Sequence, residues 1–260
     1  MNELFLGKSE DKLKNIESDT VDLIVTSPPY AKQRDYNGAT SKDYEGFILP
    51  IMLECKRVLK PNGSFFFNIK EHCENGQRSL YVAKLIIELV EKHGFLLIDE
   101  FIWNKTNPFP TGSRKRLKDG FERVFHFTKT KKFQIYPENV LVKSESKWLE
   151  SEKKRKNKAE HNTTNGSKMN MSKRICSEMV RPSNVLTMSS SNLNIGHPAV
   201  YPDQLAEFFI KLGSQEGDTI LDPFMGSGTT CLVAKRLKRS FIGVELNEEY
   251  FQIAKERINE

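Results

Sequence analysis

Two short stretches of this sequence combine residue types that could do chemistry. The first, Thr26-Ser27-Pro28-Pro29-Tyr30, closes an apolar run from Val21 to Val25. A turn at the carboxyl end of a strand is where open α/β sheets bind ligands, and two prolines stiffen this one. An exocyclic amine on a nucleobase is a poor nucleophile because its lone pair is delocalised into the ring. Fixed acceptors that pull on its hydrogens and hold it in line assist its attack. The Ser27 hydroxyl and the Pro28 carbonyl are such acceptors, and Tyr30 offers a ring on which a base flipped from its duplex can stack. The plainer reading of the same residues is a proline-rich turn with a buried tyrosine.

The second stretch, Asp222-Pro223-Phe224-Met225-Gly226-Ser227-Gly228-Thr229-Thr230, follows a strand-like run and opens a helical one. Small residues there let a ligand approach the backbone and the amides at a helix start. Roughly 20 residues later, the usual distance to a ribose-binding acid, Ser240-Phe241-Ile242-Gly243-Val244-Glu245 ends in a carboxylate. The pair suggests a cofactor containing adenosine. A phosphate-binding loop would need Gly-Lys-Ser/Thr, and this turn has Gly228-Thr229-Thr230. Gly7-Lys8-Ser9 does not supply one either, since the earlier glycine would fall at Asn2. An ordinary strand-to-helix connection is the plainer alternative.

The elements that must hold these turns alternate along the chain. Glu3 to Leu6, Val21 to Thr26, Ser64 to Ile69, Phe95 to Trp103, Phe121 to Thr128, Thr219 to Leu221 and Ser240 to Val244 read as seven strands. Phe47, Ile51, Cys55 and Leu59 recur at helical spacing before a stop at Pro61-Asn62-Gly63, and Ala83, Ile86, Ile87 and Val90 do so before Gly94. Further helices are expected from Pro202 to Leu212, from Thr229 to Leu237 and at the end of the chain. Strand and helix in turn imply a parallel sheet. The breakers Asn107-Pro108 and Pro110-Thr111-Gly112 leave no room for a helix before Phe121, which favours an antiparallel last pair.

Composition bounds the rest. The 260 residues are 38% hydrophobic, enough for one sizeable core or two small ones. No apolar run approaches the roughly 20 residues of a membrane span, and Met1-Asn2-Glu3-Leu4 lacks the features of a signal peptide, so a cytoplasmic location is expected. Cysteines at 55, 73, 176 and 231 form neither a CxxC motif nor a Cys/His cluster, so no disulfide framework and no metal site are expected. The net charge of +6 is concentrated: residues 143–174 hold ten Lys or Arg against four Glu, and the remainder balances. That segment is too polar for a core of its own and reads as a mobile insertion. Its Lys153, Lys154, Arg155 and Lys156, with Arg114, Lys115, Arg116 and Lys118 of an earlier basic loop, are candidates for phosphate contacts, against the alternative of solvated charge. Trp148 is read as a local hydrophobic anchor.

Together these motifs resemble the amino-methylating DNA methyltransferases of bacterial restriction-modification systems. In that family Asp-Pro-Phe-x-Gly-Ser-Gly-Thr-Thr binds S-adenosylmethionine and Ser-Pro-Pro-Tyr is catalytic. The likeness extends through Gly63 to Asn68, Ile102 to Lys105, Phe121 to Lys129 and His197-Pro198-Ala199-Val200-Tyr201-Pro202. It implies an α/β, Rossmann-like methyltransferase fold: a seven-stranded, mostly parallel sheet, circularly permuted in the order of the beta group. Catalytic residues would lie in 1–130, a target-recognition insertion in 131–190 and the cofactor-binding part in 191–260. The resemblance makes Ser27, Pro28, Pro29 and Tyr30 catalytic. To the cofactor it assigns Asp222, Pro223, Phe224, Gly226, Ser227, Gly228 and Thr229, then Glu245 with Leu246 and Asn247, then His197, Pro198 and Tyr201. Glu245 would take the ribose, and Phe224 with the Asp222 turn the methionine part. The family usually has Gly-Asp after its N-terminal strand; Gly7-Lys8 departs from this, with Glu10 or Asp11 as substitutes for the adenine contact.

The activity so implied is methyl transfer from S-adenosylmethionine to an amino nitrogen in duplex DNA, without a covalent enzyme intermediate. Methylation of cytosine carbon 5 would need a nucleophilic cysteine after proline, and none of the four cysteines has one. Ser in the first position of the tetrad resembles the N4-cytosine enzymes, and Asp or Asn more often marks the N6-adenine enzymes. Both side chains accept an N–H bond, so N4-cytosine is favoured with N6-adenine as the alternative. An RNA or small-molecule methyltransferase, or a nucleic-acid-binding module without turnover, are the readings from other classes. The resemblance also admits a homodimer and a cognate restriction endonuclease.

Overall fold

The computed structural model describes residues 2–30, 44–74, 76–108, 115–144, 178–190 and 201–259. Its main sheet has strands β1 (Asn2–Leu6), β2 (Val21–Thr26), β3 (Leu59–Ile69), β4 (Leu96–Lys105), β5 (Phe121–Thr128), β6 (Val185–Met188), β7 (Thr219–Asp222) and β8 (Ser240–Glu245), in the order β1-β8-β7-β2-β3-β5-β4-β6. Only β5 runs against its neighbours, pairing antiparallel with both β3 and β4. Helices α1 (Tyr44–Val58), α2 (Tyr81–Glu91), α3 (Asp203–Gly213), α4 (Thr229–Arg236) and α5 (Glu248–Asn259) supply the layers.

The central strands are apolar on both faces because both are covered, as expected of parallel strands between helices. On β3 the alternation is visible in three consecutive phenylalanines. Phe65 and Phe67 join the core beneath α1 and α2, with Ile48, Ile51, Leu85 and Leu89. Phe66 points the other way, its ring 4.6 Å from that of Phe209 on α3. His126 on β5 stacks on Phe66 and meets Ser64 Oγ at 3.0 Å, and burial pushes its imidazole down to about 4, so it is a neutral core residue.

Two expectations are corrected. Among the described residues the sheet has eight strands rather than seven. The added one, Val185–Met188, lies within the span 131–190 expected to be separate, yet pairs in parallel with Ile102–Lys105 of β4. It is four residues long with only Leu186 buried, too weak an alternation to read as a strand. Pro61-Asn62-Gly63 does not stop the first helix, which ends at Val58; it lies inside β3, where pairing with β2 slips between Val21 and Leu23. A bulge tolerates a proline that cannot donate to the ladder. Residues 137–183 form a second unit, described by a short helical turn, Pro137–Val140, and an antiparallel ribbon of Val142–Lys143 with Met179–Val180. No helix among the described residues is long and apolar enough to cross a membrane.

Gly243, in the middle of β8, lets the glycine-rich turn lie on the sheet. A Cβ there would stand 2.8 Å from Cys231 Sγ of α4 and closer still to Met225 Sδ of the turn. Both neighbours are buried and cannot yield freely. Gly243→Ala should therefore destabilise the fold by about 1–3 kcal/mol through overpacking, read as a lowered urea midpoint with unchanged slope.

Candidate active site

The two chemical motifs meet at one buried carboxylate. Thr26, the last residue of β2, donates from Oγ1 to Asp222 Oδ1 at 2.6 Å. Thr230 of α4 donates to Asp222 Oδ2 at 2.6 Å, and the Phe224 N–H reaches Oδ1 at 3.0 Å. Tyr201 extends the network by donating to the Thr230 hydroxyl. Burial pushes Asp222 up to about 6, opposed by the Thr230, Thr26 and Phe224 hydrogen bonds. Desolvation, with the Asp222 charge beside it, holds the Tyr201 phenol well above its ordinary range.

The turn from Asp222 to Thr229 is built around this anchor. The Met225 N–H donates to the Val244 carbonyl at 2.9 Å, and Gly228, at φ +83, adopts the left-handed conformation that starts α4. Glu245, at the end of β8, accepts from the Gly226 N–H at 2.9 Å and the Asn247 N–H at 2.7 Å. Desolvation raises its pKa against those backbone bonds. Asn247 also accepts the Tyr250 N–H at 3.1 Å, which caps α5, and Leu246 is exposed beside it. The Phe224 ring is partly buried, 6.1 Å from that of Phe47. Pro223, Ser227 and Thr229 are buried.

Two residues that the sequence left unassigned brace this turn. Ser9 Oγ donates to the Pro223 carbonyl at 2.5 Å, so the segment after β1 docks on it. Arg257, from α5, donates to the Ser227 carbonyl at 2.5 Å and approaches Ser227 Oγ at 3.0 Å. Glu10 and Asp11, expected to replace the family's acid, pair with Lys8 at 3.9 Å and Lys14 at 3.7 Å.

In the Ser-Pro-Pro-Tyr turn, Pro28 is buried while Ser27, Pro29 and Tyr30 are partly exposed. The Tyr30 hydroxyl donates to Glu122 Oε2 at 2.7 Å and lies 3.1 Å from both Asn68 Oδ1 and Ser27 Oγ. Lys105 Nζ donates to the other oxygen of Glu122 at 2.5 Å and sits 4.5 Å above the Trp103 ring. Burial and the Glu122 charge hold the Tyr30 phenol well above its ordinary range, so it remains a neutral hydroxyl. Asn68, Lys105 and Glu122 stand inside stretches that resemble family motifs, but no local pattern assigned them a role.

Of the basic loop, Arg116 donates to Asp119 at 2.7 Å, which also accepts from Arg78 at 2.8 Å. Lys115 and Lys118 are exposed, and Leu117 between Arg116 and Lys118 is 91% exposed. Arg114, Trp148, Lys153, Lys154, Arg155, Lys156, His197 and Pro198 lie outside the described residues. Cys55 and Cys231 are buried, and desolvation raises both thiols, so neither is a ready nucleophile.

The chain is similar to known proteins. A family model described as DNA methylase, grouping N6 and N4 enzymes, matches residues 21–256. The chain belongs to the DNA methylase family. Among its relatives, the orphan methyltransferase M.BamHII of Bacillus amyloliquefaciens is 32% identical over 94% of this chain and 91% of its own length. The type II methyltransferase M.PvuII of Proteus hauseri is 29% identical over 95% of this chain and 80% of its own length. The solved PvuII DNA methyltransferase, cytosine-N4-specific, superimposes with a TM-score of 0.75 at 27% identity, covering 98% of this chain and 85% of that one. The solved complex of M1.HpyAVI with SAM gives 0.64 at 26% identity over the whole of both chains.

In this DNA methylase, Asp222 sets a pH dependence. Its folded-state pKa is raised, so its contribution to stability is full below the ordinary carboxylate value and is lost as pH rises from about 4 to 6. Asp222→Asn, which cannot ionise, should escape that loss. The variant's stability relative to wild type should rise by about 2 kcal/mol between pH 4 and pH 8, measured by urea unfolding at both. An unchanged difference would show that the carboxylate is not desolvated.

Proposed function

We propose that this DNA methylase transfers a methyl group from S-adenosylmethionine to the exocyclic N4 of a cytosine flipped out of duplex DNA. The observation that carries the reading is the Thr26–Asp222 bond, which joins the Ser-Pro-Pro-Tyr turn to the glycine-rich turn on the neighbouring strand. Donor and acceptor sites at one sheet edge are what direct transfer requires.

The residues fit the cofactor. The turn holding Gly226, Ser227 and Gly228 is small and lysine-free, and the partly exposed Glu245 carboxylate keeps lone pairs beyond its backbone bonds for a ribose diol. Phe224 and the Asp222 turn would border the methionine part. Bound there, S-adenosylmethionine supplies an electrophilic methyl group on a sulfonium. Ser27 Oγ and the Pro28 carbonyl accept the amine's N–H groups and aim its lone pair, while Tyr30 offers the ring face for the base. Arg116 and Lys118 of the loop before β5 meet the phosphates. Ser27 at the head of the tetrad, and the N4 specificity of the PvuII enzyme, support cytosine over adenine. The same reading places the protein in the cytoplasm, in a restriction-modification system.

The test is transfer from labelled S-adenosylmethionine to unmethylated duplex DNA, followed by digestion and mass spectrometry of the nucleosides. N4-methylcytosine is expected, and Ser27→Ala should lower kcat on the order of 10²-fold while cofactor affinity stays the same. N6-methyladenine would overturn the base assignment, and methylation of RNA but not DNA would overturn the substrate class. Lys118→Ala should weaken DNA binding for all sequences alike and reduce the slope of log affinity against log salt by about 0.9.

A further inference from the structure

Three oxygens surround the single phenolic hydroxyl of the Ser-Pro-Pro-Tyr turn. Tyr30 Oη has Glu122 Oε2 at 2.7 Å, Asn68 Oδ1 at 3.1 Å and Ser27 Oγ at 3.1 Å. The first two are acceptors with fixed orientation. Glu122 is buried, and its other oxygen is taken by Lys105 Nζ at 2.5 Å. Asn68 is buried too, and its Nδ2 donates to the Arg123 carbonyl at 3.1 Å, which turns its oxygen toward Tyr30. The phenol must therefore spend its hydrogen on this side. The contact between Tyr30 and Ser27 then has only one hydrogen left to use, the serine's own.

We propose that Glu122 and Asn68 are positioning residues that polarise the Ser27 hydroxyl through Tyr30, so that Ser27 meets its substrate as an acceptor and the site selects amino over keto bases. The proposal rests on the reading of Ser27 as the partner of a base amine. A free serine hydroxyl rotates and would accept from cytosine N4 or donate to uracil O4 with similar ease. With its hydrogen committed to Tyr30, it offers only lone pairs, which pair with an amino group and repel a carbonyl oxygen.

The arrangement has redundancy that a variant cycle exposes. In Glu122→Gln, Lys105 keeps the amide oxygen on its own side, so the amide nitrogen faces Tyr30; Asn68 still takes the phenolic proton. In Asn68→Leu, Glu122 takes it. With both changes no acceptor remains for the phenol except Ser27, and the serine proton turns outward. The experiment uses duplexes carrying the methylated base of the site or its keto counterpart, uracil for cytosine or hypoxanthine for adenine, bound in the presence of S-adenosylhomocysteine.

Wild type should prefer the amino duplex by about 10- to 100-fold. Each single variant should keep that preference within about 3-fold, and the double variant should lower it by about 10-fold, the Pro28 carbonyl retaining the remainder, with a kcat loss well beyond the product of the single losses. Affinity for S-adenosylhomocysteine should not change. If the double variant does not fold, Tyr30→Phe removes the link and should lower the preference by a similar factor. A double variant, or Tyr30→Phe, that keeps the wild-type ratio would overturn the proposal, as would single losses that fall equally on cofactor affinity. A wild-type chain that methylates no base in DNA would sink the reading of the site and this proposal with it. Active wild type with an unmoved ratio would sink only the latter.

Discussion

The site depends on a carboxylate held where carboxylates are expensive. Asp222 is almost fully buried between β2, β7 and the start of α4, and it stays there because three donors converge on it. An ionised group without such partners would cost several kcal/mol to bury. The donors come from three parts of the fold: the end of β2, the turn itself and the first turn of α4. The bond network therefore works as a register pin. A shift of β2 along β7 would strip Asp222 of Thr26, and a shift of α4 would strip it of Thr230. Ser27, the residue after Thr26, inherits its position from this constraint.

Packing does the remaining placement. The turn after Asp222 lies flat on β8 because Gly243 has no side chain there, and Met225 and Cys231 fill that space. From outside, Ser9 and Arg257 fix the carbonyls of Pro223 and Ser227. The Gly226 and Asn247 amides in turn fix the Glu245 carboxylate. A backbone turn of small residues would otherwise be the most adaptable part of the edge, and these contacts make it a rigid surface.

Much of this was legible in the sequence because it is local. Two turns with their flanking apolar runs specified the strands, their residue types specified the chemistry, and the resemblance carried both into a sheet order that brings β2 beside β7. What escaped is long-range. Arg257 is an ordinary basic residue near the end of a helix, and only folding brings it 30 positions back to Ser227. Ser9 faces Pro223 across 214 positions. Val185–Met188 escaped for another reason: its pairing with β4 supplies the order that its own four residues lack. Pro61-Asn62-Gly63 read as a helix stop because bulges within strands have the same composition as turns.

The reversed strand explains how the edge that carries the Ser-Pro-Pro-Tyr turn acquires its acid. Parallel strands bring only their carboxyl ends to the binding edge, which accounts for Thr26, Asn68 and Asp222 lying there together. Because β5 runs the other way, its beginning arrives at that same edge, and Glu122 is its second residue. The antiparallel register sets Glu122 opposite Trp103 of β4, two residues before Lys105, so the acid and its cation come from the same pair of strands. Asp222 is satisfied by neutral donors and ties the two turns together; Glu122 is satisfied by a cation on one side and accepts from a phenol on the other. The first fixes where Ser27 stands, and in the proposed reading the second sets which way its hydroxyl points. On that reading, position and polarity of one side chain come from two acids on opposite sides of β2, neither of which has to touch the base.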